Sequence, residues 1–222
     1  MIDLLDIDRV LLTVLSYKMS YVEFFGTVAG MIAVWISARG SVLSWPIGII
    51  NVVLLFFLFY QVQLYPDMLL QVYFLFTNLL GWWRWKNPQT WESNSKNELR
   101  ESFLSDRERL LTVVLIVSGT IVLGAAASRL NLWFPFIFQQ PGSFPIADSF
   151  VTITSILAQY WMVHKKADCW ILWILADLVA TVLYFMKDIK FLSLEYLIFC
   201  FIALFGFFQW RRQAINFANS ND

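Results

Sequence analysis

Polar and aromatic side chains recur at helical spacing within an apolar stretch near the C-terminus. Trp170, Trp173, Asp177, Thr181 and Tyr184 are separated by 3, 4, 4 and 3 residues, which places them on one face of a helix. Aromatic faces attract flat rings, and attract them more strongly when the ring is cationic. A carboxylate on the same face can bind a cation or a hydroxyl group. This stripe therefore predicts a binding site for an aromatic, cationic or hydroxyl-bearing ligand.

Other apolar stretches carry polar side chains at the same spacing. Between residues 66 and 84, one helical face holds Asp67, Gln71, Phe74 and Asn78. Between residues 145 and 163, a wholly polar face holds Asp148, Thr152, Ser155 and Gln159. Single polar residues in the remaining stretches are Glu23, Thr27, Asn51 and Glu195. Polar side chains inside apolar segments are costly and normally face a bundle interior or a wet cavity.

Two interpretations of these polar side chains stay open. A single residue such as Asn51 can simply form an interhelical hydrogen bond that stabilises a bundle. Trp170 stands at a segment end and can belong to an interfacial aromatic belt. We expect Trp85, Trp210 and Trp91 to be belt or loop anchors rather than site residues. Asp177 differs, because its own helix offers no Lys or Arg as a partner. A role in ligand binding is therefore favoured for Asp177.

The chemistry of the stripes limits the ligand. Tryptophan faces suit a flat ring, and the amides of Gln71 and Asn78 suit sugar hydroxyls. No Lys or Arg falls in the middle of any apolar segment, so a phosphate would find no counter-charge there. The residues predict an uncharged or cationic aromatic metabolite that carries hydroxyls, and they disfavour phosphorylated and carboxylic substrates.

The composition identifies a membrane protein. Of 222 residues, 59% are hydrophobic, 18% aromatic and only 14% charged, whereas about a quarter of a soluble domain is charged. The mean hydropathy is +0.63, and no soluble globule of this size could bury so much apolar surface. With 16 basic and 16 acidic residues, no polybasic surface is expected. This composition excludes a soluble enzyme, a disordered chain and a nucleic-acid binder. The two cysteines, Cys169 and Cys200, are predicted to be buried apolar residues.

Seven segments are predicted to cross a bilayer as helices, since each offers about 20 mostly apolar residues. They span residues 21–38, 45–62, 66–84, 110–128, 145–163, 170–187 and 191–210. Residues 1–20 are predicted to form a short helix at the membrane interface. The charged residues 87–109 are predicted to form a cytoplasmic loop, and residues 213–222 a cytoplasmic tail.

An offset of 125 residues aligns the chain with itself without a gap. Trp45 then falls on Trp170, Gly81 on Gly206 and Trp85 on Trp210. Further matches are Glu23 with Asp148, Phe25 with Phe150, Thr27 with Thr152, Phe74 with Phe199, and Phe76 with Phe201. The predicted segments coincide as well, three on three. We therefore predict two three-helix repeats, residues 21–86 and 145–212, joined by a linker transmembrane helix at 110–128.

This layout fixes the predicted topology. A single linker helix returns the chain to its starting side, so the repeats are parallel in a 3+1+3 arrangement. Parallel repeats with a central site are typical of a class of transporters. One side of the membrane collects 5 basic residues and the other 11, and the richer side is cytoplasmic by the positive-inside rule. The prediction is an all-α integral membrane protein with its N-terminus outside and its C-terminus in the cytoplasm.

Several motifs give the chain a family resemblance. They are the run Trp45-Pro46-Ile47-Gly48, the run Leu64-Tyr65-Pro66-Asp67 with Leu70-Gln71 and Gly81-Trp82, the pattern Trp170-x-x-Trp173-x-x-x-Asp177 with Leu183-Tyr184, and Gly206-x-x-x-Trp210. In combination, over about residues 21–212, they resemble the PnuC family of bacterial vitamin transporters. The resemblance implies a seven-helix fold similar to SWEET sugar transporters and a homotrimer in the bacterial inner membrane.

The resemblance also implies a function and a set of binding residues. The function is facilitated diffusion of nicotinamide riboside, which is trapped when a cytoplasmic kinase phosphorylates it. No cofactor is implied. The implied substrate-binding residues are Trp173, Asp177, Trp170, Gln71, Asn78, Phe74, Tyr184 and Asn51. Nicotinamide riboside is a flat N-ribosyl pyridinium cation without phosphate, which agrees with the ligand predicted from the residues.

Alternatives remain at this stage. Related transporters carry thiamine, riboflavin or other nucleosides, and thiamine is also an aromatic cation. Asp67 and Glu195 could support proton coupling in an active transporter. A retinal photoreceptor is excluded, because residues 191–209 contain no lysine for a Schiff base. An intramembrane enzyme is disfavoured, because the only histidine, His164, stands at a segment end beside Lys165 and Lys166.

Overall fold

A computed structural model describes residues 6, 9–14, 17–61, 65–93, 98–134 and 143–219. Within this part the chain is almost entirely helical. The helices are α1 (Tyr21–Ala38), α2 (Ser44–Gln61), α3 (Tyr65–Lys86), α4 (Asp106–Ala127), α5 (Leu130–Trp133), α6 (Pro145–Val163), α7 (Cys169–Met186) and α8 (Lys190–Asn219). Two short strands, β1 (Val10–Val14) and β2 (Tyr17–Ser20), precede them, and a 3₁₀ turn covers Thr90–Glu92.

The predicted interfacial helix at the N-terminus is wrong for the residues that the structure describes. β1 and β2 pair there as an antiparallel hairpin, with Thr13 opposite Lys18. The β-branched residues in Val10–Val14 favour an extended chain. Ser20 then ends the hairpin and begins α1 through a capping box, in which its hydroxyl accepts a hydrogen bond from the Glu23 amide at 3.2 Å. Residues 1–5, 7, 8, 15 and 16 lie outside the described residues.

The long helices begin and end close to the predicted segments. α1 and α6 have the predicted bounds, and α7 is shifted by one residue. α4 begins at Asp106, inside the predicted loop, because Ser105 and Glu108 form a second capping box. α8 continues to Asn219, through most of the predicted tail.

In the part of the chain that the structure describes, six helices are long and apolar enough to cross a membrane, and α3 is not among them. The six are α1, α2, α4, α6, α7 and α8. α3 has 22 residues, which is sufficient length. Its mean hydropathy is reduced by Asp67, Gln71 and Asn78, the same residues that form its predicted binding face. The coarse architecture is therefore a multi-helix membrane protein with six apolar helices.

The long helices pack as a closed ring. α1 packs on α2, α2 on α3, α3 on α6, α6 on α7, α7 on α8, and α8 returns to α1. α4 packs on α6, and most of its remaining surface is apolar and exposed. The polar stripes of α3, α6 and α7 thus lie on helices that share one ring, which is the arrangement a central site needs.

Positions 125 residues apart have matching environments at one end of this ring. Trp45 packs edge-on against Trp85 at 5.1 Å, and Trp170 packs edge-on against Trp210 at 5.4 Å. The side chains of Trp85 and Trp210 are in contact with each other, with ring centroids 5.7 Å apart. All four indoles are buried, so the expectation that Trp85 and Trp210 are belt anchors is wrong. We call this region, defined by Trp45, Trp85, Trp170 and Trp210, the tryptophan end.

Two glycines allow the tryptophans to pack this closely. A Cβ on Gly206 would lie 2.7 Å from Cε2 of Trp170, and a Cβ on Gly81 would overlap the ring of Trp45. Ser37 and Met162, also 125 residues apart, meet at the same end, where the Ser37 hydroxyl lies 3.3 Å from the Met162 sulfur. Close approach of helices over small residues is the usual packing mode within a membrane.

Candidate ligand-binding site

Asp177 is the most unusual side chain of the ring interior. It lies in the middle of α7 and is 4% exposed. Among the described residues, no hydrogen bond or ion pair involves its carboxylate; Thr181 donates only to its backbone oxygen, at 2.7 Å. A buried carboxylate without a partner is costly, and an incoming cation or hydroxyl donor would relieve that cost.

Trp173 and Phe74 bring the stripes of α7 and α3 together. Their ring centroids are 6.5 Å apart, with planes inclined at 42°. Trp173 lies four residues before Asp177 on the same helical face. Its indole N–H is buried and has no hydrogen-bond partner in the described part of the chain. This pair thus offers aromatic surface and a free donor close to the carboxylate.

Gln71 and Asn78 occupy the same face of α3 as Phe74, and both are buried. The Asn78 amide nitrogen donates to the Phe74 backbone oxygen at 2.7 Å, which fixes the orientation of the side chain. Its amide oxygen then points toward Gly48 of α2, where any Cβ would collide with it. The structure therefore places the amides of α3 beside the aromatic pair, with the orientation of Asn78 enforced by a neighbouring glycine.

Three predicted site residues have other roles in the observed packing. Asn51 donates to the Gly26 backbone oxygen at 2.8 Å and so connects α2 to α1. Trp170 is fully buried in the tryptophan end against Trp210. Tyr184 stacks on Tyr196 of α8, with centroids 5.3 Å apart and planes inclined at 7°.

The sequence prediction assigned no site residue to α8, where two aromatic residues extend the aromatic surface of Tyr184. Tyr196 stacks on Tyr184, and Phe199 packs edge-on against Tyr196 at 6.2 Å. These positions are the 125-residue counterparts of Gln71 and Phe74. The repeat itself was therefore the signal that could have identified them.

Titratable groups lie at both ends of the ring: an ion pair at one end and a histidine at the tryptophan end. Lys187, after α7, donates to both carboxylate oxygens of Asp148 at 2.8 and 3.0 Å. At the tryptophan end, partial burial lowers the pKa of His164 below its usual range, so it is neutral at pH 7. No group of His, Cys, Asp or Glu that could hold a metal ion occurs within the described ranges.

Comparisons with known proteins identify the family. A family model described as nicotinamide mononucleotide transporter matches residues 20–212. The nicotinamide riboside transporter PnuC of Escherichia coli is 30% identical over 212 residues, covering 90% of this chain and 88% of that protein. The riboflavin/roseoflavin transporter RibM of Streptomyces davaonensis is 22% identical over 188 residues, covering 85% and 83%.

A solved structure shares the fold. The crystal structure of the vitamin B3 transporter PnuC superposes with a TM-score of 0.67 at 20% identity, covering 88% of this chain and 83% of that one. The match over most of the chain, the 30% identity and the ring of apolar helices lead to one conclusion: the chain belongs to the nicotinamide mononucleotide transporter family, a family of membrane transporters rather than enzymes.

Proposed function

We propose that this protein transports nicotinamide riboside across the membrane. The observation that carries the proposal is the buried, unpartnered carboxylate of Asp177, four residues along α7 from the Trp173–Phe74 pair. A pyridinium ring supplies a positive charge and a flat face in one group. Ion pairing to Asp177 and cation–π contact with Trp173 would then act on the same ring.

The site favours the riboside over the mononucleotide that gives the family model its description. A phosphate needs Lys, Arg or a helix N-terminus as a partner. Lys and Arg within the described helices are confined to the ends, as in α3, where they are Arg84 and Lys86. Lys187 is already neutralised by Asp148. A dianionic phosphate in the ring interior would face Asp177 without a counter-charge.

We further propose that the ring and its repeats form the seven-span, 3+1+3 arrangement with parallel repeats. The contacts between residues 125 apart, Trp85 with Trp210 and Ser37 with Met162, support it. Side chains that contact their own repeat counterparts lie on a pseudo-two-fold axis along the bundle.

The positive-inside rule puts the tryptophan end in the cytoplasm and the N-terminus outside, in a bacterial inner membrane. A homotrimer, implied by the family resemblance, would use part of the exposed apolar surface of α4.

Transport by facilitated diffusion, with trapping by cytoplasmic phosphorylation, is the mechanism that we propose. Proton coupling through Asp67 or Glu195 is the alternative; Thr27 donates a long hydrogen bond of 3.4 Å to Glu195. In proteoliposomes without a kinase, facilitated diffusion predicts that uptake stops when the internal and external concentrations are equal. Accumulation beyond that point, abolished by an uncoupler, would establish proton coupling instead.

Binding to the purified protein tests the substrate and the site together. We expect nicotinamide riboside to bind, and nicotinamide mononucleotide and riboflavin to bind at least about 100-fold more weakly, because the phosphate or Asp177, respectively, would be buried without a partner. Thiamine, a cation without a ribose, should bind more weakly than the riboside because it offers no sugar hydroxyls to Gln71 and Asn78. Trp173→Ala and Asp177→Asn should each abolish most of the affinity. The matched controls are Trp91→Ala and Asp188→Asn, both at exposed positions. If riboflavin, which the RibM relative is named for, bound more tightly than nicotinamide riboside, the proposed substrate would be wrong. If both site variants kept their affinity, the proposed binding site would be wrong.

A further inference from the structure

A short segment before α4 covers the tryptophan end. We call residues 99–104 the strap. Its two end residues, Leu99 and Leu104, are 3% and 5% exposed, and Leu99 packs in the same cluster as the four tryptophans. Although the surrounding sequence is charged, both ends of the strap are buried, and only Phe103 between them is exposed.

Main-chain hydrogen bonds fasten the strap to the turn between α6 and α7. The Ser102 amide donates to the Lys165 oxygen at 3.2 Å, and the Ala167 amide donates to the Ser102 oxygen at 2.8 Å. The Leu104 amide donates to the Asp168 carboxylate at 2.9 Å. The strap is therefore attached to the second half of the ring, α6–α8, through the turn that joins α6 to α7.

The buried side chain that holds the strap in place is Lys165. It is 4% exposed, its ammonium group donates to the Leu99 backbone oxygen at 2.7 Å, and it forms an ion pair with Glu101 at 2.9 Å. The ammonium group also lies 4.8 Å from the ring centroid of Trp85. Lys165 has a left-handed backbone, with φ of 54°, which a non-glycine residue adopts only under constraint from its surroundings.

Glu101 lies between the two halves of the ring. Gln213 of α8, with its amide oriented to donate, lies 2.7 Å from the carboxylate. In the first half, a Cβ on Gly40 would lie only 3.1 Å from the same carboxylate. Gly40 is the 125-residue counterpart of Lys165, and it has the same left-handed backbone, with φ of 75°. The ion pair therefore lies between the two equivalent turns.

We propose that the strap is the gate at the tryptophan end, and that this end stays closed only while the buried Lys165–Glu101 ion pair is intact. At the tryptophan end, Trp85 meets Trp210 and Ser37 meets Met162 across the two halves of the ring. A solute can leave at this end only if the two halves separate there. Separation would move Trp85 and Gly40 of the first half away from the ion pair and expose the pair to water.

The energetics make the ion pair a switch. Two buried charges are tolerated while they are paired, and removing one leaves the other buried and unpaired, which is strongly unfavourable. An open end solvates the remaining charge. Neutralising one partner should therefore favour the open state, whereas neutralising both should restore the closed one.

A native cysteine reports on this gate. Cys169 is fully buried in the cluster that the strap covers, so a thiol reagent reaches it only when the end opens. In a Cys200→Ala background, we would measure maleimide labelling of Cys169 in the purified full-length protein. Glu101→Gln and Lys165→Met should each raise the labelling rate at least about tenfold, and the double variant should label at close to the parent rate.

Controls separate gating from unfolding. Lys190→Met removes an exposed lysine at the opposite end and should label like the parent. Each variant must elute as a single species and keep its parent thermal transition to within a few degrees. If Glu101→Gln fails this requirement, Glu101→Asp keeps the charge and should raise labelling less. Unchanged labelling in folded single variants, or a double variant that labels faster than either, would overturn the proposal. Neither result depends on which substrate the protein carries.

Discussion

Replacing Gly206 with alanine would test the close packing at the tryptophan end. The new Cβ would lie 2.7 to 2.9 Å from Cε2, Cδ2 and Cζ2 of Trp170, where ordinary contact begins at 3.4 Å. The ring would have to move by about 0.5–0.7 Å, but it is 0% exposed and packed against Trp210 at 5.4 Å. Overpacking of this kind costs about 1–3 kcal/mol. Because the buried ring has little room to move, we expect a cost near the upper end, about 2–3 kcal/mol. The better helix propensity of alanine returns about 1 kcal/mol, which leaves a net loss of about 1–2 kcal/mol.

Thermal unfolding in detergent, followed by tryptophan fluorescence, measures this loss. Gly81→Ala should lower Tm at least as much, because Trp45 approaches Gly81 even more closely. The matched control is Gly119→Ala on α4, where a Cβ would meet only Ile153 side-chain atoms at 3.1 to 3.3 Å. These atoms can rotate away, so Tm should change little. If Gly206→Ala and Gly81→Ala left Tm unchanged, or if Gly119→Ala lowered it as much, the packing argument would be refuted.

Three further substitutions test contacts elsewhere. Ser105→Ala removes the capping hydroxyl of α4 and should cost about 1 kcal/mol in thermal unfolding; an unchanged Tm would show that the capping box contributes nothing. Tyr73→Phe removes a 2.8 Å hydrogen bond to the Ile156 oxygen between α3 and α6, and a loss of about 0.6–2 kcal/mol is expected. Asp148→Asn should cost less than about 1 kcal/mol, because the pair with Lys187 is partly exposed. Its effect should shrink further in 0.5 M salt, and a larger effect in salt would contradict this assignment.

The helices were predictable because apolar length and helical spacing depend on the local sequence. The bounds 145–163 of α6 follow from the apolar run alone, since Pro145 begins it and the charged Lys165 and Lys166 follow it. The 125-residue offset was also visible, because tryptophan and glycine must occupy matching positions for the helices to approach. The position of Asp177 and Trp173 on one face followed from spacing, and the structure adds that Phe74 of α3 meets Trp173.

What the sequence could not reveal depends on contacts between distant segments. The strap lies in a charged stretch that predicts a solvated loop, and its burial requires Lys165 to meet Glu101, 64 positions away along the chain. Trp170 was equally compatible with a membrane belt and a binding site, and only its contact with Trp210 places it in the core. The N-terminal hairpin was missed because apolar and polar residues in that stretch also fit a helical repeat.

We expect the site to bind a cationic riboside in preference to its phosphorylated form, through Asp177 and Trp173. Counterflow in proteoliposomes tests it directly: vesicles loaded with unlabelled nicotinamide riboside should take up labelled nicotinamide riboside but not labelled nicotinamide mononucleotide. Asp177→Asn and Trp173→Ala should lose this uptake, while Asp188→Asn and Trp91→Ala should keep it. Equal uptake of the riboside and the mononucleotide, or full counterflow in the Asp177→Asn protein, would contradict the account.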